Sequence, residues 1–490
     1  MVPPDCHVPP IRLSCLVDGG PRPSGDYVLV WMTAFRRTAY NYTLDRAVSW
    51  SRALGKPILV FEPLLAGYPW ASDRLHRFVI QGMADNQAAF ERAGIAYYPY
   101  LEPHDGDGRG LLKALAERAA VVVTDDSPSF FLPRLRQGAK EELEVRTECV
   151  DSNGLLPLRA ADRAYPSAHS FRRILQRELP NYVLDCPRPR LPKNPCLQGA
   201  QIPQDVLRRW PKASPEALGA APQALAELAI DHSVGPAAIQ GGRRTALKKL
   251  KKFIEDALGR YLSDRNHPDR EAESGLSPYL HFGHISTHEI FAALVAWEDW
   301  HPDRMAHRPT GAREGFWGMS PQAEGYLDQA VTWRELGYNM AHHRYDDLPR
   351  YASLPPWALE TLAIHAHDPR EQIYTLAQLE AAQTNDPLWN AAQNQLTRQG
   401  TLHNYMRMLW GKRVIAWTHT PQEAFAILEH LNNKYALDGR DPNSYSGILW
   451  CFGRYDRPWP ERPIFGKIRM MTSASAAKKL QLKAYVKKFS

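Results

Sequence analysis

YVLVWMTAFRRTAYNYTLDRAVSWSRALGKPILVFEP, residues 27 to 63, decides the class of the first half of the chain. The apolar run YVLVWM gives way to a segment with helical spacing, which ends at Leu54 where Gly55 can supply the left-handed turn that closes a helix. PILVFEP then returns to a short apolar run. The pattern continues: Ser72 can cap a long helical segment closed by Gly94, IAYYPY and AVVVTD (120 to 125) are further apolar runs, and another lies near Val145. Strands that alternate with helices are covered on both faces, so we expect an α/β domain built on a doubly wound parallel sheet. Neither G-x-G-x-x-G nor G-x-x-x-x-G-K-[ST] follows any of these strands, so no glycine fingerprint marks a dinucleotide or triphosphate there.

The 490 residues give room for two or three cores. A hydrophobic content of 44% with 23% charged residues places the chain among soluble globular proteins. It has no run of about eighteen apolar residues, and MVPPDCHVPP lacks a basic stretch followed by an apolar one, so neither a membrane span nor a secretion signal is expected and the address is cytoplasmic. Cys6, Cys15, Cys149, Cys186, Cys196 and Cys451 form no C-x-x-C pair, which argues against zinc, an iron–sulfur cluster or a disulfide framework; no metal site is expected. A net charge of +7 leans mildly toward a polyanionic partner.

Proline thickens between Cys186 and Gly219 (PRPRLPKNPC, RRWPKASPEA), which reads as a linker on the surface, and beyond it the apolar spacing is almost wholly helical. RRTALKKLKKF (243 to 253) reads as a solvated helix face. Lys478, Lys479, Lys483, Lys487 and Lys488 near the end read as a frayed tail or a phosphate-seeking one.

Two stretches carry chemistry. In PLWNAAQNQLTRQGTLHNYMRMLWGKRVIAWTHTP (387 to 421), Pro387 begins a helix, Gly400 interrupts it, Thr401 can cap a second helix and Pro421 limits it. Trp410 and Trp417 then return to the same azimuth within ~20° while rising roughly 10 Å, and Trp389 falls beside them if the helices pack across Gly400. Core filling and a path for electron hopping both remain open for these indoles. The second stretch, LDGRDPNSYSGILWCFGRYDRPW (437 to 459), shows neither helical nor strand periodicity and reads as an irregular loop. Its Trp450 and Trp459 need something to cover them.

LNNKYALDGRDPNSYSGILWCFGRYDRPW, ERPIFGKIRMM, SGLSPYLHFGHIS (274 to 286), WRELGYN (333 to 339) and WNAAQNQL…NYMRMLWGKRVIAW resemble the class II cyclobutane pyrimidine dimer photolyases. The resemblance spans residues 230 to 475 and extends more loosely into the first half. It implies a Rossmann-like N-terminal domain (1–185) able to hold a light-harvesting antenna, whether deazaflavin, folate or FMN. An interdomain linker (186–225) and an all-α FAD-binding catalytic domain (226–490) follow, with FAD bent into a U and active as FADH⁻. The implied reaction is light-dependent repair: an electron passes from excited reduced FAD to a flipped-out cyclobutane pyrimidine dimer in DNA, the ring opens, and the electron returns. The alternative is a cryptochrome-like blue-light photoreceptor without repair activity. The expected partner is dimer-containing DNA, with no membrane and a monomeric chain, associated with the nucleoid if the source is bacterial.

The same resemblance assigns residues. Ser274, Gly275, Leu276 and Ser277 would contact the FAD diphosphate, with Tyr261 beside the cofactor. Arg407 would pair with Asp438 against the isoalloxazine ring, an ordinary buried ion pair being the other reading, and Asn432 would stand near flavin N5. Trp410, Trp389 and Trp417 match the inner, middle and outer members of an electron-transfer chain. Glu335 would face the dimer as a catalytic group beside Asn432, with Met408 lining the pocket and Asn339 assisting; a pair with Arg334, Arg344 or another base is the competing role for Glu335. Trp450 and Trp459 would cover the lesion, while Arg440, Arg454 and Arg457 would meet DNA phosphates or bridge to Asp441 and Asp456.

Overall fold

The computed structural model describes residues 7–192 and 197–490; Cys6, Cys196 and the KNPC end of the first proline-rich run lie outside the described residues. Six strands, β1 (Leu13–Val17), β2 (Tyr27–Trp31), β3 (Ile58–Leu64), β4 (Ala96–Leu101), β5 (Ala119–Asp125) and β6 (Thr147–Val150), form one sheet in the order β1-β6-β5-β2-β3-β4. β2 to β6 are parallel, with Val30 opposite Val60 on one side and Val123 on the other. β1 runs antiparallel to β6 at the edge, a departure from the expected all-parallel sheet. LSCLV gave no signal because its residues are only half-buried, and its partner lies more than a hundred residues away.

Every residue of β2, β3 and β5 is buried, because side chains on both faces enter cores. Val28, Val30 and Val60 pack with Trp50 on one face, while Leu29, Trp31 and Leu59 pack on the other. This is why these strands read as unbroken apolar runs. The first two long helices, Tyr42–Leu54 and Asp73–Ala93, stop at Gly55 (φ 61°) and Gly94 (φ 68°), where a side chain would strain the left-handed backbone. The proline-rich segment does not hang free. Trp210 is buried against the β4 edge, its indole N–H donates to Asp107 O at 2.8 Å, and Ala213 N–H donates to Pro99 O at 2.9 Å.

In the helical half, Pro387–Gln399 ends at Gly400 (φ 69°) as anticipated. The next helix, Asn404–Ala416, is capped by His403 and not by Thr401, since Leu402 first turns into the core. The supposed loop 437 to 459 contains a helix, Pro442–Cys451, whose first turn is capped by Asp441 accepting from Asn443 N–H at 2.8 Å. Its spacing was hidden because it is buried nearly all round, so polar and apolar residues do not separate into faces. The lysine-rich end is also docked: Asp269 accepts from Tyr485 N–H at 2.7 Å, and Asn394 donates to Phe489 O at 2.8 Å.

Arg74 joins the two halves. It leaves the helix Asp73–Ala93 and donates to Leu396 O at 3.3 Å, Thr397 O at 2.6 Å and Tyr435 O at 3.0 Å, the carbonyl-rich ends of two helices. Among the described residues, no helix is long and apolar enough to cross a membrane.

Candidate active site

The helix Asn404–Ala416 carries the centre of the site. Arg407 donates to Asp438 Oδ1 at 2.8 Å and to Asn432 Oδ1 at 3.2 Å; Asn432 in turn donates to Ser444 Oγ at 2.8 Å. Ser277 Oγ donates to the other Asp438 oxygen at 2.6 Å. Burial alone would push the Asp438 carboxyl up, but the Arg407 guanidinium and the Ser277 hydroxyl outweigh it and hold the group below its ordinary value. Asp438 is therefore ionised, and the cluster presents a carboxylate, a guanidinium and an amide together.

Beside it runs the turn Ser274–Ser277. Leu276 is buried and anchors the turn, while Gly275 and Ser277 are exposed. Gly275 adopts φ 63°, and the Lys249 ammonium lies 3.5 Å from where its Cβ would stand. Ser274 reaches the Tyr326 hydroxyl, and Tyr326 meets Tyr261 edge-on at 5.4 Å. Burial raises the Tyr261 phenol to about 12, so it remains a neutral donor. Hydroxyls, turn N–H groups and an ammonium suit a diphosphate, and the mixed donors of the Arg407 cluster suit the edge of a heteroaromatic ring. Lys249 was missed because its run was taken as solvated. The signal was its place three residues after the buried Ala246, on the inward side of the helix.

On the far side of Arg407, three indoles meet. Trp389 stacks on Trp410 with centroids 6.4 Å apart and planes 8° from parallel, and meets Trp417 edge-on at 5.5 Å. Trp389 thus stands between the other two. Trp410 Nε1 donates to Gln393 at 2.9 Å and Trp389 Nε1 to Trp410 O at 3.0 Å, which fixes both rings. Arg413 lies 4.3 Å over Trp417, and Tyr374 closes its edge at 5.3 Å.

A second aromatic wall lies on the helix Pro442–Cys451 and the loop after it. Met408 Cε approaches within 3.7 Å of a Cβ built on Gly447, one turn before the half-buried Trp450. Arg469 lies 5.7 Å from the Trp450 ring and 4.9 Å from that of Trp459, and Arg457 stacks on Trp459 at 5.4 Å. Arg457 and Arg469 are exposed. Arg469 was overlooked in the sequence, where only its place in ERPIFGKIRMM marks it.

Four expected site residues are committed elsewhere. Both Glu335 oxygens accept backbone N–H groups, from Leu155 at 2.7 Å and Leu156 at 3.1 Å, and a Cβ on Gly154 would come within 2.4 Å of its carboxyl carbon. The π-helical turn Asp328–Trp333 just before it rotates the helix, so spacing does not reveal which way Glu335 faces. Asn339 accepts from Tyr165 N–H at 3.0 Å and donates to Arg163 O at 2.9 Å. Arg440, 2% exposed and left-handed at φ 66°, binds the carbonyls of Asn433, Ala436 and Leu437. Arg454, buried, binds the Ser353 carbonyl and hydroxyl. Neither arginine is free for a phosphate; Arg457 is.

No protein-family model matches the chain. A deoxyribodipyrimidine photo-lyase of Methanothermobacter thermautotrophicus is 33% identical to it over 94% of either chain. The chain belongs to the deoxyribodipyrimidine photo-lyase family. Photo-lyases of that name from Arabidopsis thaliana and Potorous tridactylus are 31% and 29% identical, covering 98% and 94% of this chain and 92% and 80% of theirs. The crystal structure of a bacterial class III photolyase from Agrobacterium tumefaciens shares the fold, with a TM-score of 0.66 at 18% identity, covering 95% of this chain and 86% of that one.

This photo-lyase chain also has a crevice of about 100 Å³ between its two halves. It lies at the carboxyl ends of β2, β3, β5 and β6, where β2 has β3 on one side and β5 on the other. That switch point is where open α/β sheets bind ligands. Tyr68 and Phe131 stack there with centroids 5.6 Å apart, and Arg36, Arg37, Arg334 and Arg440 make the lining cationic. The sequence signal was SFF after the strand AVVVTD.

Proposed function

We propose that the chain is a class II photolyase, which uses light to repair cyclobutane pyrimidine dimers in DNA with reduced FAD bound at the Arg407–Asp438 site. The observation that carries this reading is the helix Asn404–Ala416. It offers Arg407 to an ion-paired polar site and, one turn on, Trp410 to a stacked column of indoles. The residues fit the cofactor: Ser274, Gly275, Ser277 and Lys249 would hold its diphosphate, while Arg407, Asp438 and Asn432 would hold the ring edge. When bound and reduced, FAD supplies the photo-excited electron that opens the cyclobutane ring and is then recovered.

The chain's own residues do the rest. Trp450 and Met408, which approach each other around Gly447, would cover a dimer swung out of the duplex. Such a dimer is poorly stacked and paired, so it leaves the helix at low cost; the handling of photolyase substrates by base flipping is an established general rule. Arg457 and Arg469, exposed beside Trp459, would meet the flanking phosphates. The column Trp410–Trp389–Trp417 would bring electrons inward to restore the reduced cofactor. Fixed placement of these groups provides the proximity that the reaction needs. Glu335, whose carboxylate already serves Leu155 and Leu156, is left out of the catalytic set. The crevice at the sheet ends, with its aromatic platform, is where we place an antenna chromophore, held by the first 185 residues on one side and by Phe282, Arg334 and Arg440 on the other.

Illuminating the reduced protein with DNA that carries thymine dimers should restore unlinked thymines, measured by chromatography of the nucleosides. Equal yields in light and dark would overturn the assignment.

A further inference from the structure

Lys412 lies on the same helix as Arg407 and Trp410 and is 0% exposed. Its ammonium donates to Cys451 O at 2.6 Å and, among the described residues, forms no ion pair within 4.0 Å. A buried charge without a carboxylate is costly and persists only where something compensates it. Two contacts do so here, and the Asp456 carboxylate adds attraction from beyond ion-pair distance. Cys451 ends the helix Pro442–Cys451, whose carbonyl end attracts a cation, and the face of Trp450 lies 4.9 Å from the ammonium.

We propose that Lys412 is a positioning residue of lesion recognition: its ammonium pins the Trp450 indole in the orientation that meets the flipped pyrimidine pair. This rests on the reading of Trp450 given above. Lys412 grips the ring and the end of the helix that carries it, so both the side chain and its base are fixed at once. Arg469 is no substitute, being exposed, farther from the ring at 5.7 Å and shared with Trp459. The charged and titratable groups facing the ammonium are Cys451, Asp456 and Arg469, beside the neutral ring of Trp450. Burial brings Lys412 down to about 8, whereas burial pushes the Cys451 thiol up to about 11, so the lysine sheds its charge first.

The test uses full-length holoprotein and a duplex with a single thymine dimer, with affinity measured in the dark. Lys412→Met should weaken dimer binding roughly tenfold, the order of a desolvated cation–π contact, and Lys412→Arg should recover most of it. Affinity for undamaged duplex and photoreduction of the flavin should be unchanged in both. The unmodified protein should lose dimer affinity as the pH rises from about 7 to 9, and Lys412→Arg should not. Wild-type affinity in Lys412→Met alongside a weakened Trp450→Ala overturns the role of Lys412 alone. Wild-type affinity in both overturns the reading of Trp450 beneath it. A Lys412→Arg variant as weak as Lys412→Met, or a flat pH series in the unmodified protein, also overturns the proposal, and the pH series needs no variant to fold.

Discussion

Glu335 shows what one buried carboxyl group does when backbone donors surround it. Burial raises it from 4.5 to about 7, although Arg334 and the N–H groups of Leu155 and Leu156 pull the other way. Between those two values the folded protein keeps a proton that the unfolded chain has lost, so stability falls as the pH rises through that window. Glu335→Gln should remove this slope. The amide also turns an N–H₂ toward one backbone donor, so stability should drop by about 1–3 kcal/mol, as read by chemical denaturation, while dimer affinity stays at the wild-type level. Arg407, Asp438 and Asn432 were legible as a set because a motif preserves which residues occur together. The direction of Glu335, Asn339 and Arg454 was not, since Leu155, Tyr165 and Ser353 lie far away in the chain.

At the scale of the element, the indole column depends on the turn at Gly400, which brings the helices Pro387–Gln399 and Asn404–Ala416 side by side. Trp410→Phe should abolish photoreduction of the flavin, followed by absorbance under blue light. Repair by protein reduced chemically beforehand should persist, because the column restores the cofactor and does not touch the dimer. The same change leaves Gln393 Oε1 without its indole donor at a cost of about 1–3 kcal/mol, so the melting temperature should fall as well. Helix ends at Gly55, Gly94 and Gly400 were readable because a left-handed residue is a local requirement. β1 and the helix Pro442–Cys451 were not readable, the first because long-range pairing makes it a strand, the second because burial on all sides erases its periodicity.

For the whole molecule, the joint between halves is broad and apolar, with Leu75, Phe78, Leu155 and Leu156 sharing one core with Phe253, Tyr279 and Leu336, and Arg74 fastens one edge of it. Burial holds the Arg74 guanidinium below its ordinary value, yet its four carbonyl partners, Gly235 among them, keep it in place. Arg74→Ala strands those carbonyls and should cost about 2–4 kcal/mol, as read by chemical denaturation, with the shared core keeping the two halves in one transition. Another fastening is the Glu335 carboxyl group seated on the Gly154–Leu156 backbone. Residue 154 admits no side chain while that acid is in place. Engineers who splice the front of one relative onto the back of another should therefore treat positions 154 and 335 as a single inherited unit. A chimaera that separates them would wedge its own seam apart.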